Sequence, residues 1–259
     1  AIQTQFHHLV RTVPGSGLIV RPKNSSAVDE TLERGVWTPL EQVDPDGGNL
    51  GWAARAVTAD ASSFDVLLGG ELLGTVSWPL IGRHNQANAL AAIAAARHAG
   101  VPVNVAIDAL AEFRGIKRRL EMKGNVLGVV VYDDFAHHPT AIQTTIAGLR
   151  ANIGEQGRIL AVMEPRSNTM KLGVTQEALA QSFEGADHVY IFQPENLGWR
   201  ADQLPIPQPH DVENELQRLV TKVIAQSRPG DHVLVMSNGG FGGIHSKLLD
   251  ALKEKEQDV

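Results

Sequence analysis

The chain has 259 residues, enough for two domains of ordinary size. Its formal charge of −6 at pH 7 argues against a general binder of nucleic acid or anionic membranes, since both need an excess of Lys and Arg. No cysteine is present, which excludes disulfides, thiolate catalysis and thiolate metal sites. The longest apolar run, residues 89–96, is far shorter than the roughly 20 residues of a membrane span. With no basic, apolar leader, the sequence predicts a cytoplasmic protein.

The first residues predict an amphipathic helix that starts without a capping residue. Its apolar stripe consists of Ile2, Phe6, Leu9, Val10 and Val13. Because Ala1 lies directly inside this pattern, we expect the chain to be a piece of a longer protein whose N-terminal part is missing. A strand in GLIVRP follows, and then a helix in SSAVDETLERG with a Ser cap and a Gly stop.

Three alternating segments come next and predict a small antiparallel β-meander. They are WAARAVTAD, FDVLLGG and ELLGTVSWP. Two helices are predicted after them, over residues 85–99 and 103–113. The pattern changes near Gly115, and we place a domain boundary there, which gives domains 1–114 and 115–259.

Strands and helices alternate beyond the boundary. The predicted strands are residues 126–132, 158–163, 188–192 and 232–236, and the predicted helices are residues 139–151, 176–183, 212–227 and 242–253. Such alternation favours right-handed crossovers, so the sequence predicts an α/β fold with a Rossmann-like second domain and a mostly parallel sheet. Residues 193–210 contain four prolines and no periodicity, which predicts a long loop that lines a site.

Four polar or glycine-rich stretches follow the predicted strands of the second domain. In chain order they are DDFAHHP, EPRSNTMK, QPENLGW and SNGGFGGIH. Ligands of open parallel sheets bind outside the carboxyl ends of the strands. We therefore expect all four stretches at one edge of the sheet, where they form a site.

The first stretch permits three interpretations. It contains two carboxylates and two imidazoles, those of Asp133, Asp134, His137 and His138. These groups can simply solvate the end of a strand before a helix that starts at a proline. Alternatively, a carboxylate accepts two ribose hydroxyls while the imidazoles approach phosphate at a helix N-terminus. A zinc site is a weaker third interpretation, because adjacent histidines do not easily bind one ion and no spaced partner is present.

EPRSNTMK places Arg166 and Lys171 at the end of a strand in an acidic chain. A guanidinium pairs with a carboxylate through two parallel hydrogen bonds, which suits an amino-acid or peptide substrate; a surface pair with Glu164 is the alternative. The four glycines of SNGGFGGIH predict a turn where backbone approaches a ligand or a loop. They do not match G-x-G-x-x-G, which argues against a nicotinamide-dependent dehydrogenase.

The first domain contributes GRHNQAN at the start of an Ala-rich helix. Asn85 and Asn88 share a face of this helix, and each amide can donate and accept one hydrogen bond, as the adenine edge requires. A capping role for Asn85 is the alternative. KRRLE, residues 117–121, places three cations at the domain boundary, either as a solvated face or as a clamp on phosphate.

In their order and spacing, GRHNQANALAAIAAA, KRRLE and YDDFAHHPTAI resemble the Mur ligase family, ATP-dependent amide-forming enzymes of peptidoglycan synthesis. EPRSNTMK and MSNGGFGGIH are most similar to the branch that joins L-alanyl-γ-D-glutamyl-meso-diaminopimelate to UDP-N-acetylmuramate. The family's phosphate loop, G-x-x-G-K-[ST], does not occur in this sequence. Its central-domain Mg²⁺ ligands are likewise expected outside the chain.

The resemblance implies that residues 1–114 are the later part of a central ATP-binding domain and that residues 115–259 are the peptide-binding C-terminal domain. It implies ATP and Mg²⁺ as cofactors, with UDP-N-acetylmuramate and the tripeptide as small-molecule partners. ATP would phosphorylate the lactyl carboxylate, and the tripeptide amine would attack the acyl phosphate, which would reuse peptide from old cell wall. The alternatives are a UDP-N-acetylmuramate–L-alanine ligase and, for this chain alone, a non-catalytic peptide- and nucleotide-binding module.

The resemblance also implies roles for single residues. The ATP-binding residues would be His84, Asn85, Asn88, Arg119, Asp134 and His137, and the catalytic residues would be Arg119 and His138. The peptide-binding residues would be Arg166, Asn168, Lys171, Ser237 and Asn238. Arg166 would pair with a carboxylate of the diaminopimelate end. No metal ligand is expected in this chain, and we expect the chain alone to have no ligase activity.

Overall fold

The computed structural model describes residues 2–173 and 176–257, apart from the side chains of residues 168 and 169. The chain divides into two compact units, Ala1–Arg114 and Gly115–Val259, and each is described by itself. No helix within the described residues has both the length and the apolar character needed to cross a membrane.

The first unit is built on a five-stranded sheet. Its strands are β1 (Ile19–Pro22), β2 (Leu40–Asp44), β3 (Trp52–Ala56), β4 (Ser63–Leu68) and β5 (Glu71–Ser77), and its helices are α1 (Ile2–Val10), α2 (Ser26–Glu33), α3 (Arg83–His98) and α4 (Val103–Ala111). The strands are hydrogen-bonded in the order β1-β2-β3-β4-β5. The last three form the antiparallel meander that the sequence predicts. β2, which pairs parallel with β1 and β3, is an addition to the predicted elements.

The core of the first unit contains residues from the meander and from α3. Trp52, Phe64 and Val76 are fully buried strand residues, and they cluster with Leu90 and Ile93 of α3. The two α3 residues are three apart, so they lie on one face of the helix. This packing fixes the start of α3, where the GRHNQAN residues lie.

The second unit is built on a six-stranded sheet. Its strands are β6 (Glu121–Val126), β7 (Val129–Asp134), β8 (Arg158–Met163), β9 (His188–Phe192), β10 (His210–Glu213) and β11 (Asp231–Met236). Its helices are α5 (Pro139–Ile153), α6 (Asn168–Lys171), α7 (Gln176–Gln181), α8 (Leu216–Gln226) and α9 (Ile244–Gln257). The strand order is β10-β9-β8-β11-β7-β6, and every neighbouring pair except β6 and β7 is parallel. The predicted α/β fold with a mostly parallel sheet is therefore confirmed.

The central strands of the second unit are buried on both faces. In β8, Ile159, Ala161 and Met163 belong to the hydrophobic cluster that includes α5, whereas Leu160 and Val162 belong to the cluster that includes α8 and α9. A strand covered on both faces has a continuous apolar sequence, because successive side chains point to opposite sides. This is why RILAVM and HVLVM are recognisable as strands in the sequence.

Two predicted elements of the second unit run over residues that belong to a turn or to another strand. The predicted strand over residues 126–132 is part of a hairpin, because Leu127 and Gly128 have positive φ and turn the chain between β6 and β7. The predicted helix over residues 212–227 begins only at Leu216, because His210–Glu213 pairs with β9 as an edge strand.

The parallel strands bring their carboxyl ends to one edge of the sheet. Asp134 ends β7, while Glu164, Gln193 and Ser237 directly follow β8, β9 and β11. The four polar or glycine-rich stretches therefore follow strands along the same edge.

Candidate functional site

The turn after β11 is tied to both neighbouring strands. The Ser237 side chain is 1% exposed, and its hydroxyl donates to Oε2 of Glu164 (2.5 Å) while accepting from the backbone N–H of Gly239 (2.9 Å). The backbone N–H of Ser237 donates to the carbonyl of Asp134 (3.1 Å). The turn therefore has a defined position relative to β7 and β8.

Arg166 packs against this turn. A Cβ atom built on Gly239 would lie only 2.7 Å from both Cδ and Cζ of Arg166, so the arginine side chain in this position packs directly on the glycine. Arg166 is exposed, and no ion pair to its guanidinium is found in the part of the chain that the structure describes. The alternative pair with Glu164 is not formed among the described residues, and the Glu164 carboxylate instead accepts the Ser237 hydroxyl through Oε2. The guanidinium is thus available to an anion.

Asn238 holds a polar atom without a partner in the same turn. Its Oδ1 is buried and accepts no hydrogen bond from the described residues. Buried polar atoms are nearly always hydrogen-bonded, because an unpaired one costs free energy. The available guanidinium of Arg166 and the unsatisfied Oδ1 of Asn238 thus occur at the same turn.

The proline-containing loop after β9 contacts the segment that carries Lys171. Nε1 of Trp199 donates to the carbonyl of Met170 (2.6 Å), and the N–H of Gly198 donates to the carbonyl of Lys171 (3.1 Å). A Cβ on Gly198 would lie 2.8 Å from that carbonyl oxygen, so glycine is needed here. The loop fixes the position of α6. The side chain of Asn168 lies outside the described part of the structure.

Asp134 is buried and already hydrogen-bonded. Its carboxylate is 3% exposed and accepts the N–H of Leu120 (Oδ2, 2.7 Å) and the N–H of Ala136 (Oδ1, 2.8 Å). Burial raises the pKa of Asp134, and these two hydrogen bonds oppose the rise. A carboxylate has about four acceptor positions, so a ribose hydroxyl would have to share a group that anchors two loops.

Three candidate residues lie near Phe135. Arg119 lies beside its ring, and His137 and His138 follow it in the sequence. Cζ of Arg119 lies 5.6 Å from the Phe135 ring centroid, and the side chain is exposed. Nδ1 of His137 lies 2.8 Å from the Phe135 carbonyl oxygen, so this ring is engaged locally. His138 is exposed at the start of α5, where its carbonyl accepts the N–H of Ile142 (3.0 Å). Of these three candidates, Arg119 and His138 are therefore the ones whose side chains are exposed.

Two further polar residues of this edge are not among the sequence-based candidates. Nε of Arg118 lies 3.3 Å from Oδ2 of Asp133, and Nε2 of His245 lies 3.3 Å from Oδ1 of the same carboxylate. KRRLE signals a cationic segment, but it does not show which of its cations faces inward. The glycine-rich signal around His245 points to the turn rather than to the imidazole.

Two half-buried histidines of the second unit predict acid sensitivity. Burial lowers the pKa of His232 and of His245 below the ordinary value of 6.5; for His245 the carboxylate of Asp133 opposes this effect. The folded state thus favours neutral imidazoles, and their stabilising contribution, complete above about pH 6.5, is lost as the pH falls through their folded pKa values.

We expect the free energy of unfolding to fall between pH 7 and pH 5, by at most about 1.4 kcal/mol per pH unit for each histidine. Urea denaturation of wild type and His245→Gln over this range measures it. The variant should show a smaller slope, and replacement of the exposed His98 is the control. Equal slopes for wild type and His245→Gln would refute the contribution of His245.

In the first unit, the GRHNQAN residues form the start of α3. Nδ2 of Asn85 donates to the carbonyl of Ile81 (2.8 Å), and the backbone N–H of Asn85 donates to the carbonyl of Gly82 (3.0 Å). Asn85 is half-buried, whereas His84 and Asn88 are exposed. The Asn85 side chain therefore helps to hold the first turn of the helix.

The described residues, 2–173 and 176–257, contain no group of three or more His, Asp or Glu side chains that could hold a metal ion.

Sequence comparisons relate the chain to known proteins. Residues 118–239 match the family described as Mur ligase, glutamate ligase domain. The chain is 49% identical, over 99% of its length, to the UDP-N-acetylmuramate--L-alanyl-gamma-D-glutamyl-meso-2,6-diaminoheptandioate ligase of Escherichia coli (strain K12), of which it covers 56%. It is 48% identical, over 98% of its length, to the ligase of the same name from Haemophilus influenzae, again covering 56%.

A solved structure also matches this chain. The crystal structure of a murein peptide ligase from Psychrobacter arcticus 273-4 matches 97% of this chain and 54% of its own, with a TM-score of 0.71 and 41% identity. The chain spans about half the length of the curated relatives it matches. This chain therefore belongs to the Mur ligase family, and its second unit carries the family's C-terminal domain.

Proposed function

We propose that the protein to which this chain belongs joins L-alanyl-γ-D-glutamyl-meso-diaminopimelate to UDP-N-acetylmuramate with ATP. The observation that carries the proposal is Arg166, an exposed guanidinium that packs on a glycine turn and has no ion-pair partner in the described residues. Relatives of 49% and 48% identity are named for this reaction, which supports it. Because the chain covers 56% of them, the complete reaction is proposed for the longer protein.

The groups around Arg166 suit the far end of a diaminopimelate residue. That end carries both a carboxylate and an ammonium group, remote from the amine that reacts. The Arg166 fork can pair with the carboxylate through two hydrogen bonds. The unpaired Oδ1 of Asn238 and the buried Glu164 are acceptors that suit the ammonium. L-alanine offers no such remote end, and this favours the tripeptide over the L-alanine-adding alternative.

We propose that the other edge residues serve the nucleotide. Arg119 would neutralise phosphate charge, His138 would lie beside the phosphate, and Asp134 would share its remaining acceptor positions with the ribose. In the first unit, His84, Asn85 and Asn88 would meet the adenine. Residues 1–114 would then be the later part of a central ATP-binding domain, and residues 115–259 the peptide-binding domain.

The proposed reaction has two steps. ATP phosphorylates the lactyl carboxylate, since a free carboxylate is unreactive toward amines, and the L-alanine amine of the tripeptide then attacks the acyl phosphate and releases phosphate. This chain's share is to place the peptide and to neutralise charge, which are the main sources of rate in phosphoryl and acyl transfer. Joining a ready-made tripeptide would recycle cell-wall peptide, and we propose that the reaction takes place in the cytoplasm.

The Arg166→Lys variant tests the proposal. Lysine keeps the charge but loses the fork, so we expect tripeptide affinity to fall roughly ten- to hundredfold, the value of one charged hydrogen bond. Calorimetric titration of tripeptide into the wild-type and variant chains measures it, and the exposed Arg200→Lys is the matched control.

A second variant approaches the same contact from the other side. Gly239→Ala places a methyl group where Arg166 now packs, so it should weaken tripeptide binding without removing any charge. Titration with L-alanine should show no binding to the wild-type chain. Equal tripeptide affinities in wild type and Arg166→Lys would remove Arg166 as the peptide-reading residue, and the search would turn first to Lys171.

A further inference from the structure

Arg118 is the centre of a set of contacts that joins three loops of the carboxyl edge. Its Nη2 donates to the carbonyl oxygens of Ser237 (2.6 Å) and Gly239 (2.7 Å). Its Nε lies 3.3 Å from Oδ2 of Asp133, and its Cζ lies 5.0 Å from the ring centroid of Phe135. A guanidinium offers several donors in one rigid plane, so it can serve both carbonyls and the carboxylate together.

The backbone of Arg118 is also held on both sides. Its φ of 60° lies in the left-handed region, which is uncommon for residues other than glycine. Its N–H donates to Oε2 of Glu121 (2.9 Å), and its carbonyl accepts the N–H of Phe135 (2.8 Å). These hydrogen bonds stabilise a conformation that directs the side chain toward the turn after β11.

The Asp133 carboxylate is a largely buried partner of the Arg118 guanidinium. His245 lies 3.3 Å from the other oxygen of this carboxylate. His245 lies in the first turn of α9, which packs on the sheet through the fully buried Ile244 and Leu248. The position of the Arg118 guanidinium is thus defined by the core of the unit rather than by mobile surface groups.

The two carbonyls that Arg118 holds belong to the turn on which Arg166 packs. Gly239 is bound through its carbonyl by Arg118 and covered at its Cα by Arg166. Ser237 is bound through its carbonyl by Arg118 and through its hydroxyl to Glu164. Any shift of the turn would therefore move the surface that supports Arg166 and the partner of Glu164 at once.

We infer that Arg118 is a positioning residue, which sets the Ser237–Gly239 turn and thereby the guanidinium of Arg166 without touching the peptide. The part of the inference that concerns the peptide rests on the proposed function, whereas the control of the turn does not. The two adjacent arginines of KRRLE then have different roles. Arg118 points inward and positions the turn, whereas Arg119 remains exposed.

Hydrogen exchange tests the control of the turn without any ligand. Arg118→Lys keeps the charge, but a single ammonium group cannot serve both carbonyls and Asp133 in the same geometry. We expect the amides of residues 237–240 to exchange about tenfold faster in this variant, because the turn opens more often. Unchanged exchange at these amides would overturn the inference.

Arg158→Lys is the matched control. Arg158 also pairs with a buried carboxylate, that of Asp231, and donates to a backbone carbonyl, that of Gln226, but it lies at the opposite end of β8. The control should therefore leave the exchange of residues 237–240 unchanged. A general loss of stability in both variants would accelerate the turn amides in both, and that result would also overturn the inference.

Tripeptide titration tests the link to Arg166. We expect about tenfold weaker binding in Arg118→Lys and unchanged binding in Arg158→Lys, while Arg166→Lys should weaken binding without faster exchange of the turn. If wild type binds the tripeptide and Arg118→Lys binds it equally well, the inference fails. If wild type does not bind it, the peptide assignment fails in this chain, and the exchange experiment still decides whether Arg118 controls the turn.

Discussion

Replacing Asp134 by alanine is expected to lower the free energy of unfolding of the second unit by about 3 kcal/mol, since two backbone N–H groups, one buried and one part-buried, lose their acceptor. These groups belong to Leu120, which directly follows Arg119, and to Ala136, two residues before His138. Each unpaired buried donor costs about 1–3 kcal/mol, and alanine offers no acceptor in return. The carboxylate is therefore as much a structural anchor as a candidate ribose ligand.

Urea denaturation of wild type, Asp134→Ala and Asp134→Asn measures this effect. Asparagine retains one acceptor oxygen but turns an N–H toward the other backbone donor, so its loss should be smaller than that of alanine. Asp250→Ala, which removes an exposed carboxylate of α9, is the control. A loss below about 1 kcal/mol for Asp134→Ala would show that the two loops are held by other contacts. The carboxylate would then be more available to a ribose than the structure suggests.

The sequence was sufficient to predict the sheet of the second unit and the edge at which its polar stretches lie. Strands such as RILAVM are buried on both faces by helices, so their composition is apolar throughout and easily recognised. The parallel order then places Asp134, Glu164 and Ser237 along one edge without further information. That Arg166 lies beside the glycine turn depends in addition on the pairing of β8 with β11, which the sequence pattern does not predict.

The contacts within the edge could not be predicted in the same way. Leu120 and Asp134 are separated by 14 residues, and the hydrogen bond between them depends on the turn at Leu127 and Gly128. Likewise, the three cations of KRRLE are equivalent in the sequence, and only the positive φ of Arg118 directs one of them inward. These contacts depend on the register between strands and on single unusual dihedral angles. Neither produces a periodic pattern in the sequence.

The edge strands β6 and β10 were missed for a related reason. Each has its neighbours on one side only and remains largely half-exposed, so its residues do not form a distinct apolar or alternating run. The residues that follow β10 favour a helix, and the predicted helix therefore included the last residues of β10. Packing rather than local propensity determines such short strands.

The largest loss of stability is expected for Asp231→Ala, about 3–4 kcal/mol, because it leaves the Arg158 guanidinium without its carboxylate. Asp231 is 1% exposed, and it accepts Nε (2.8 Å) and Nη2 (2.6 Å) of Arg158 as well as the backbone N–H of Arg228 (2.9 Å). The Arg158 side chain keeps 27% of its surface exposed, so water compensates in part and the loss should fall near the lower end of the range for buried pairs.

Asp231 and Arg158 are also register partners at the start of β11 and β8, which lie side by side in the sheet. The pair therefore helps to specify a register whose shift by one residue would turn every side chain of β11 to the wrong face. Urea denaturation measures the loss, with Asp202→Ala of an exposed ion pair expected to leave the midpoint unchanged. At temperatures where Asp231→Ala remains folded, its tripeptide affinity should equal that of wild type, because the pair lies at the opposite end of the strands from Arg166. Weaker binding in the folded variant would mean that register errors reach the carboxyl edge, and a midpoint like that of wild type would mean that the pair contributes nothing to the fold.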